Sequence, residues 1–325
     1  MNPPIRITIY LRQTVSMAGF NMALLESRSN HIVVGINIII NLSILVKITR
    51  CAKLTRVKFS QGSFLLINGK KKKMQIGQTI HHVREINSTM EACNRLAILG
   101  EPDGTIVSAN YQESGRGRFD RKWVSPSGDN IQMSVLLRSN QQELKYLNIF
   151  ASMAVLATCE QTLGVDGSIK WPNDVQINGK KIAGILIETV LEGEKAVSSV
   201  IGIGLNVNLD VKAQTDIEET ATSLKCEKGR YISRSVILRK LIKQLNFYHS
   251  QISDGASLTQ RWSDKLSTIG EEVTLSFRKN PNENDLVGLA ESISDDGGLR
   301  IRKRDGSLFT ANAGEVTLAE GRKIL

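Results

Sequence analysis

From about residue 81 onward the apolar positions fall into regular runs whose periods predict alternating helices and strands. Ser88-Thr89-Met90-Glu91 has the spacing of a capping box, in which the hydroxyl accepts from first-turn amides and Glu91 reaches back. Ala92, Leu96 and Leu99 follow at helical spacing. Residues 105–111 read as a strand, and so do 131–138, where Ile131, Met133, Val135 and Leu137 alternate with their neighbours. Residues 147–163 form a mostly apolar helix. Asn178-Gly179 between two apolar runs is a hairpin signal, so 169–177 and 181–190 are predicted as paired strands. A glycine-interrupted strand over 198–208 and an amphipathic helix over 233–250 follow. From Gly270 short strands return, divided by Asp295-Asp296-Gly297-Gly298 and Asp305-Gly306, the pattern of a small β-barrel. No internal repeat is visible.

The first 73 residues read differently. Residues 32–46 are strongly apolar, but the run is interrupted by Asn37 and Asn41 and falls short of the about 20 residues a membrane span needs. No small-residue cleavage site follows a charged start, which argues against a signal peptide. No pair of capped amphipathic helices suggests a DNA-binding helix-turn-helix. Lysine codons are purine-only, so Lys70-Lys71-Lys72-Lys73 ahead of Met74 reads as a translated ribosome-binding site, with Met74 as the expected native start. Residues 1–73 are therefore set apart as a basic extension of uncertain status, 74–269 as the main domain and 270–325 as a small C-terminal one.

Charge supports that division. The formal net charge is +10, yet residues 1–73 hold 12 Lys/Arg against the single acid Glu26, and the remainder is nearly balanced. A nucleic-acid partner is thus not expected from the overall pI. Hydrophobic residues at 41% and charged ones at 23% exclude a disordered or fibrous chain. Cys51, Cys93, Cys159 and Cys226 stand far apart, which argues against a zinc site or disulfide framework and predicts a reducing, cytoplasmic setting. Only four histidines occur, and there is neither a P-loop nor a His-Glu-x-x-His pattern.

Three stretches carry candidate chemistry. In Gly115-Arg116-Gly117-Arg118-Phe119-Asp120-Arg121-Lys122-Trp123 the glycines free backbone amides to approach an anion, and the arginines offer planar forks suited to phosphate. Trp123 adds a flat face for a purine; read alone, the stretch is as readily a solvated turn. In Lys170-Trp171-Pro172-Asn173-Asp174 and Lys181-Ile182-Ala183-Gly184-Ile185-Leu186, Lys181 opens an apolar strand. There it either neutralises a carboxylate and a transferring phosphoryl group or serves as an edge-strand lysine against aggregation. Asp174 holds Mg²⁺, accepts a proton, or is a plain turn aspartate, which spacing alone favours. Ala183 and Gly184 let a ligand lie close to the backbone. Gly202-Ile203-Gly204-Leu205-Asn206 lacks the third glycine and the helix of a dinucleotide fingerprint; it brings a bare strand near a ligand, with Asn206 able to pair with an adenine edge.

Together these stretches resemble the biotin–protein ligases. The likeness lies in Gly-Arg-Gly-Arg through Ser-Pro-x-Gly (115–128), Lys-Trp-Pro-Asn-Asp (170–174), Lys-Ile-Ala-Gly-Ile-Leu (181–186) and Gly-Ile-Gly-Leu-Asn (202–206), in the family's order, with Ala221-Thr222-Ser223-Leu224 and Gly314-Glu315-Val316 beyond. It covers roughly residues 81–320. The position of Met90 is usually Asn in the family, and that of Asp120 often Gly.

The resemblance implies an α+β fold: a mixed sheet flanked by helices, followed by an SH3-like barrel. It implies biotin contacts from Ser88, Thr89, Gln112, Gly115, Arg116, Lys181, Gly184 and Gly202, and ATP or adenylate contacts from Arg118, Arg121, Trp123, Asn173 and Asn206. Lys181, Arg116, Arg118 and Asp174 are the expected catalytic groups, with Asp174 also the candidate for Mg²⁺. Biotin and ATP are the implied substrates, Mg²⁺ the activator, and a biotin carboxyl carrier protein the acceptor. A homodimer stays open, and no membrane partner is expected. Two alternatives remain: a bifunctional ligase and DNA-binding repressor, and a lipoate-type acyl ligase on the same scaffold.

Overall fold

The computed structural model describes residues 10–17, 20–26, 57–60, 63–66 and 74–318, apart from 124, 139–141, 194, 214–216, 254–257 and 277–284. The chain divides into two compact units, Met1–Lys73 and Met74–Leu325. In the first, the described backbone forms two antiparallel hairpins, β1 (Tyr10–Met17) with β2 (Phe20–Glu26) and β3 (Val57–Ser60) with β4 (Ser63–Leu66). The apolar run 32–46 and the lysine run 70–73 lie outside the described residues, as does much of the stretch read as lacking paired helices.

The second unit is built on a mixed seven-stranded sheet. Its strands are β5 (Ile80–Ile86), β6 (Ile106–Gln112), β7 (Ile131–Leu137), β8 (Ser168–Lys170), β9 (Asp174–Ile177), β10 (Lys180–Glu192) and β11 (Lys195–Leu205), in the order β5-β6-β7-β11-β10-β9-β8. Only β5 and β6 run parallel. Its helices are α1 (Thr89–Ile98), α2 (Leu147–Leu163), α3 (Leu224–Lys228), α4 (Arg234–Ser253) and α5 (Thr259–Ser263). Strand β5 carries no clear sequence signal, because His81 and His82 blur its alternation.

Several expectations need correction. Every residue of β7 is buried, so its alternation separates two covered faces rather than core from solvent. Met133 and Val135 join the main core with α2, whereas Leu136 joins Met90 and Cys93 of α1 on the other face. The predicted strand 169–177 is two strands, because Pro172 has no N–H for a ladder; β8 turns into β9 with Lys170 opposite Asp174. The hairpin turn is as expected, with Asn178 and Gly179 at φ 51° and 75°. The capping box is half made. Ser88 accepts from the Glu91 amide at 3.4 Å, but the Glu91 carboxylate turns to Arg95. Leu99 caps the end of α1 at 67% exposure, and the buried face is Thr89, Met90 and Cys93.

The C-terminal strands β12 (Glu272–Ser276), β13 (Leu286–Ile293), β14 (Leu299–Lys303), β15 (Leu308–Ala311) and β16 (Glu315–Leu318) form an antiparallel sheet ordered β15-β14-β13-β12-β16. Strands β15 and β16 are its edges, so closure into a barrel is not seen among the described residues. One apolar core runs from α2 into this sheet through Trp262, Val273, Leu275 and Ile301. The two large indoles in it find partners: Trp171 Nε1 donates to the Gly297 carbonyl and Trp262 Nε1 to Ser152 Oγ, both at 3.0 Å.

Candidate active site

Strand register assembles a bare strip across one face of the large sheet. Asp174, Gly184, Gly204, Gln132 and Ala109 lie side by side on five neighbouring strands. In the adjacent row, Leu186, Gly202, Ser134 and Val107 do the same. Residues paired across strands point to the same face, so Ile185, Ile203 and Met133 enter the core while Gly184, Gly202 and Gly204 leave naked backbone on the other side.

A buried polar corner closes one end of the strip. The Thr89 amide and hydroxyl approach Gln112 Oε1 at 2.8 and 3.0 Å, and Thr89 Oγ1 lies 2.8 Å from Ser134 Oγ. A hydroxyl has one proton, so with Thr89 donating to Gln112, Ser134 donates to Thr89. Gln112 Nε2 in turn donates to Gln132 Oε1 at 2.9 Å. Ser88 and Thr89 are held there by the start of α1, where Ser88 is the N-cap. Ser88 thus caps α1 beside the corner that Thr89, Gln112, Ser134 and Gln132 form.

A cationic corner closes the other end. Lys181 Nζ lies 2.8 Å from Asp174 Oδ1 and 5.7 Å from the Trp123 ring centroid. The edge-strand reading of Lys181 fails: the residue pairs with Gln176 on one side and bridges Ala221 on the other, through Thr220 and Thr222. Asn173 Nδ2 donates to the Ile185 carbonyl, which turns its Oδ1 toward Arg118 Nη1 at 3.1 Å. Arg118 Nη2 also donates to the Gly314 carbonyl, and Arg121 pairs with Glu315. Burial lowers the Arg118 guanidinium from its ordinary value, opposed by Asp174 and Glu315 and reinforced by Arg121. An arginine keeps its charge all the same, and partly dry surroundings strengthen its pull on an anion. Among the described residues no three His, Cys, Asp or Glu side chains gather. With Asp174 engaged by Lys181, this donor set does not form a resident magnesium site.

The loop 115–123 spans the two corners. It closes on itself through Gly117 N to Arg121 O at 2.7 Å and Trp123 N to Gly115 O at 2.8 Å, with Phe119 at φ 56°. Gly115 is required because a Cβ there would meet the Trp123 carbonyl at 2.8 Å. The Trp123 indole rests on the strip, in contact with Gly184 and Gly204, and its buried Nε1 has no partner among the described residues. The three arginines diverge. Arg116 pairs with Glu188 on β10 at 3.1 Å, while Arg118 and Arg121 reach the C-terminal sheet. The Arg116–Glu188 pair is 40% and 33% exposed, where such a contact contributes about 0–1 kcal/mol.

Asn206, expected to face a nucleotide, is buried, and its Nδ2 donates to the Thr222 carbonyl at 3.1 Å. It braces the 220–223 segment beside Lys181. Sequence reasoning missed Gln132, Ser134 and Glu188; the signal for the first two was the polar half of the β7 alternation. The side chain of Asp120 lies outside the described residues.

Residues 83–206 match the Biotin/lipoate A/B protein ligase family. The Bifunctional ligase/repressor BirA of Bacillus spizizenii is 33% identical over 236 residues, 71% of this chain and 71% of its own length. The chain belongs to the biotin–protein ligase family. The Biotin–[acetyl-CoA-carboxylase] ligase of Mycobacterium tuberculosis is 31% identical over 229 residues, 68% of this chain and 82% of its own. Among solved structures, the biotin protein ligase from Aquifex aeolicus in complex with biotin and ATP superposes with a TM-score of 0.62 at 28% identity, covering 75% of this chain and 100% of that one. The expected α+β architecture, a mixed sheet flanked by helices with a C-terminal β-sheet, agrees with that structure. No helix among the described residues is long and apolar enough to cross a membrane.

Proposed function

We propose that this ligase activates biotin with ATP and transfers it to a lysine of a biotin carboxyl carrier protein. The observation that carries the reading is the glycine strip joining a buried polar corner to a cationic one. Biotin has the same order of parts: a ureido ring with two N–H groups and a carbonyl, an apolar thioether ring and chain, then a carboxylate. The ureido group suits Thr89, Gln112 and Ser134, the apolar middle crosses Gly202, Gly204 and Gly184 with the Trp123 indole raised from those glycines to cover it, and the carboxylate meets Lys181. Lipoate has no such polar head, so the Thr89–Gln112–Ser134 corner favours biotin over that alternative.

In the first step a carboxylate oxygen attacks the α-phosphorus of ATP. The α–β phosphoanhydride bond breaks, and pyrophosphate leaves with its electron pair. Magnesium enters as the MgATP substrate. Lys181 offsets charge on the carboxylate and the phosphoryl group, held in place by Asp174, while Arg118, Arg121 and Asn173 orient the nucleotide end. In the second step the neutral amine of the carrier lysine attacks the acyl carbon, AMP departs, and the amine loses a proton; Asp174 is the carboxylate at that corner. The loop 115–123 shields the adenylate from water, with Arg116 as its tether on the biotin side. The reduced thiols Cys93, Cys159 and Cys226 suit a cytoplasmic setting.

The test is incubation of the full chain with MgATP, labelled biotin or labelled lipoate, and an isolated carrier domain. The expected result is pyrophosphate release and label on the carrier with biotin alone; lipoate transfer, or no pyrophosphate with biotin, overturns it. A repressor activity alongside is checked by gel shift on the chain's own promoter DNA at stated salt.

A further inference from the structure

The glycine strip carries one side chain that the reaction does not call for. Met90, in the first turn of α1, is 5% exposed, and its Sδ and Cγ stand 2.7 and 3.1 Å from the place a Cβ would take on Gly202. It belongs with Cys93, Val107, Leu136 and Val200 to a small apolar cluster separate from the main core. Cys93 behaves there as a small hydrophobe, burial having pushed its thiol up to about 12. Met90 is therefore a core residue on one side and part of the ligand floor on the other.

Its backbone is fixed and its side chain is not. Ser88 caps the helix two residues before it, and the Thr89 amide is tied to Gln112 at 2.8 Å. An unbranched thioether adapts to irregular space through three rotatable bonds. A ring lying between the Thr89–Gln112 corner and Lys181 must pass over Gly202, where Sδ now rests, so the thioether has to turn aside. How far it can turn is limited by Leu136 and Val200 behind it.

We propose that Met90 sets the size of the pocket at the ring end of the acid and so decides which ring-modified acids the ligase accepts. The inference rests on the biotin reading above. Met90 lies away from Lys181 and the reacting carboxylate, so it acts on ring fit rather than on adenylate chemistry.

The experiment compares wild type, Met90→Ala and Met90→Leu in pyrophosphate release, with biotin and with a biotin bearing a propyl group on a carbon of its thioether ring. Shortening Met90 is expected to lower the preference for biotin, measured as the ratio of kcat/KM values, by about tenfold or more. The branched, stiffer leucine, which keeps the core filled should the alanine variant fail to fold, is expected to raise KM for biotin with little change in kcat. Cys93→Ala serves as a control that loosens the same cluster without touching the floor. If Cys93→Ala relaxes the preference as much as Met90→Ala, or if neither Met90 variant moves the ratio or KM, the proposal is overturned. A wild type that forms no biotinyl-adenylate would instead overturn the biotin reading itself.

Discussion

The indole of Trp123 occupies the space in which any side chain at Gly204 would stand, with its Nε1 2.9 Å from a Cβ built there. The contact joins the loop 115–123 to the floor of the groove. It explains why that floor is glycine where β10 and β11 meet, since a side chain there would hold the indole off the strip.

Gly204→Ala is therefore expected to lift Trp123 and impair closure without straining the backbone, whose φ lies outside the left-handed region. Of the three tryptophans, Trp171 and Trp262 are 3% and 1% exposed, so a change in acrylamide quenching reports on Trp123. Quenching should rise in the variant; biotin and ATP should lower it in the wild type and leave it unchanged in the variant. Unchanged quenching would remove Trp123 from the lid.

Lys181→Ala should slow adenylate formation by on the order of 10²–10³-fold, the usual loss on removing one charge-stabilising donor. The ammonium is partly exposed, so unfolding should shift little, within about 0.5 kcal/mol. Lys181→Gln keeps a hydrogen bond but not the charge, and should be nearly as slow. Single-turnover pyrophosphate release separates the two, and the second step with supplied biotinyl-adenylate should suffer less. A near wild-type first step in Lys181→Ala would leave the residue a purely structural partner of Asp174.

Arg118→Ala should release biotinyl-adenylate into solution. Its guanidinium ties the loop to Asn173 and to the Gly314 carbonyl, and hydrogen bonds to a charged group contribute roughly 1.5–3 kcal/mol. Dissociation of the adenylate should quicken by about ten- to a hundredfold, with a smaller effect on biotin alone. Chromatography of labelled adenylate after filtration measures the leak; equal weakening of both ligands would place Arg118 off the nucleotide end.

Residues 74–325 alone should form biotinyl-adenylate as fast as the full chain. Every residue of both corners and of the loop lies in that unit, which is compact by itself. A soluble Met74–Leu325 protein with intact secondary structure by circular dichroism and no pyrophosphate release would show that residues 1–73 contribute to catalysis.

Local chemistry in the sequence went far here. Ser88 announced the start of α1, Asn178-Gly179 the turn between β9 and β10, and Gly115-Arg116-Gly117-Arg118 an anion-seeking loop, because each depends on neighbours a few residues away. The break at Pro172 was open to the same reasoning, since a missing N–H interrupts any ladder, yet the apolar run around it read as one strand. Strand β5 was hidden by its two histidines.

What local pattern could not supply was register. Glu188 and Arg116 are far apart in the chain, and so are Thr89 and Ser134; strand pairing and the docking of α1 bring them together. A glycine in a strand announces that something approaches closely, but only the tertiary structure decides that Trp123 covers Gly204 while Met90 covers Gly202. The reason is physical. A hydroxyl at a cap or a glycine at a turn acts on its own segment, whereas which side chains share one face of a sheet is set by pairings across it, where a shift of one residue would reverse every face.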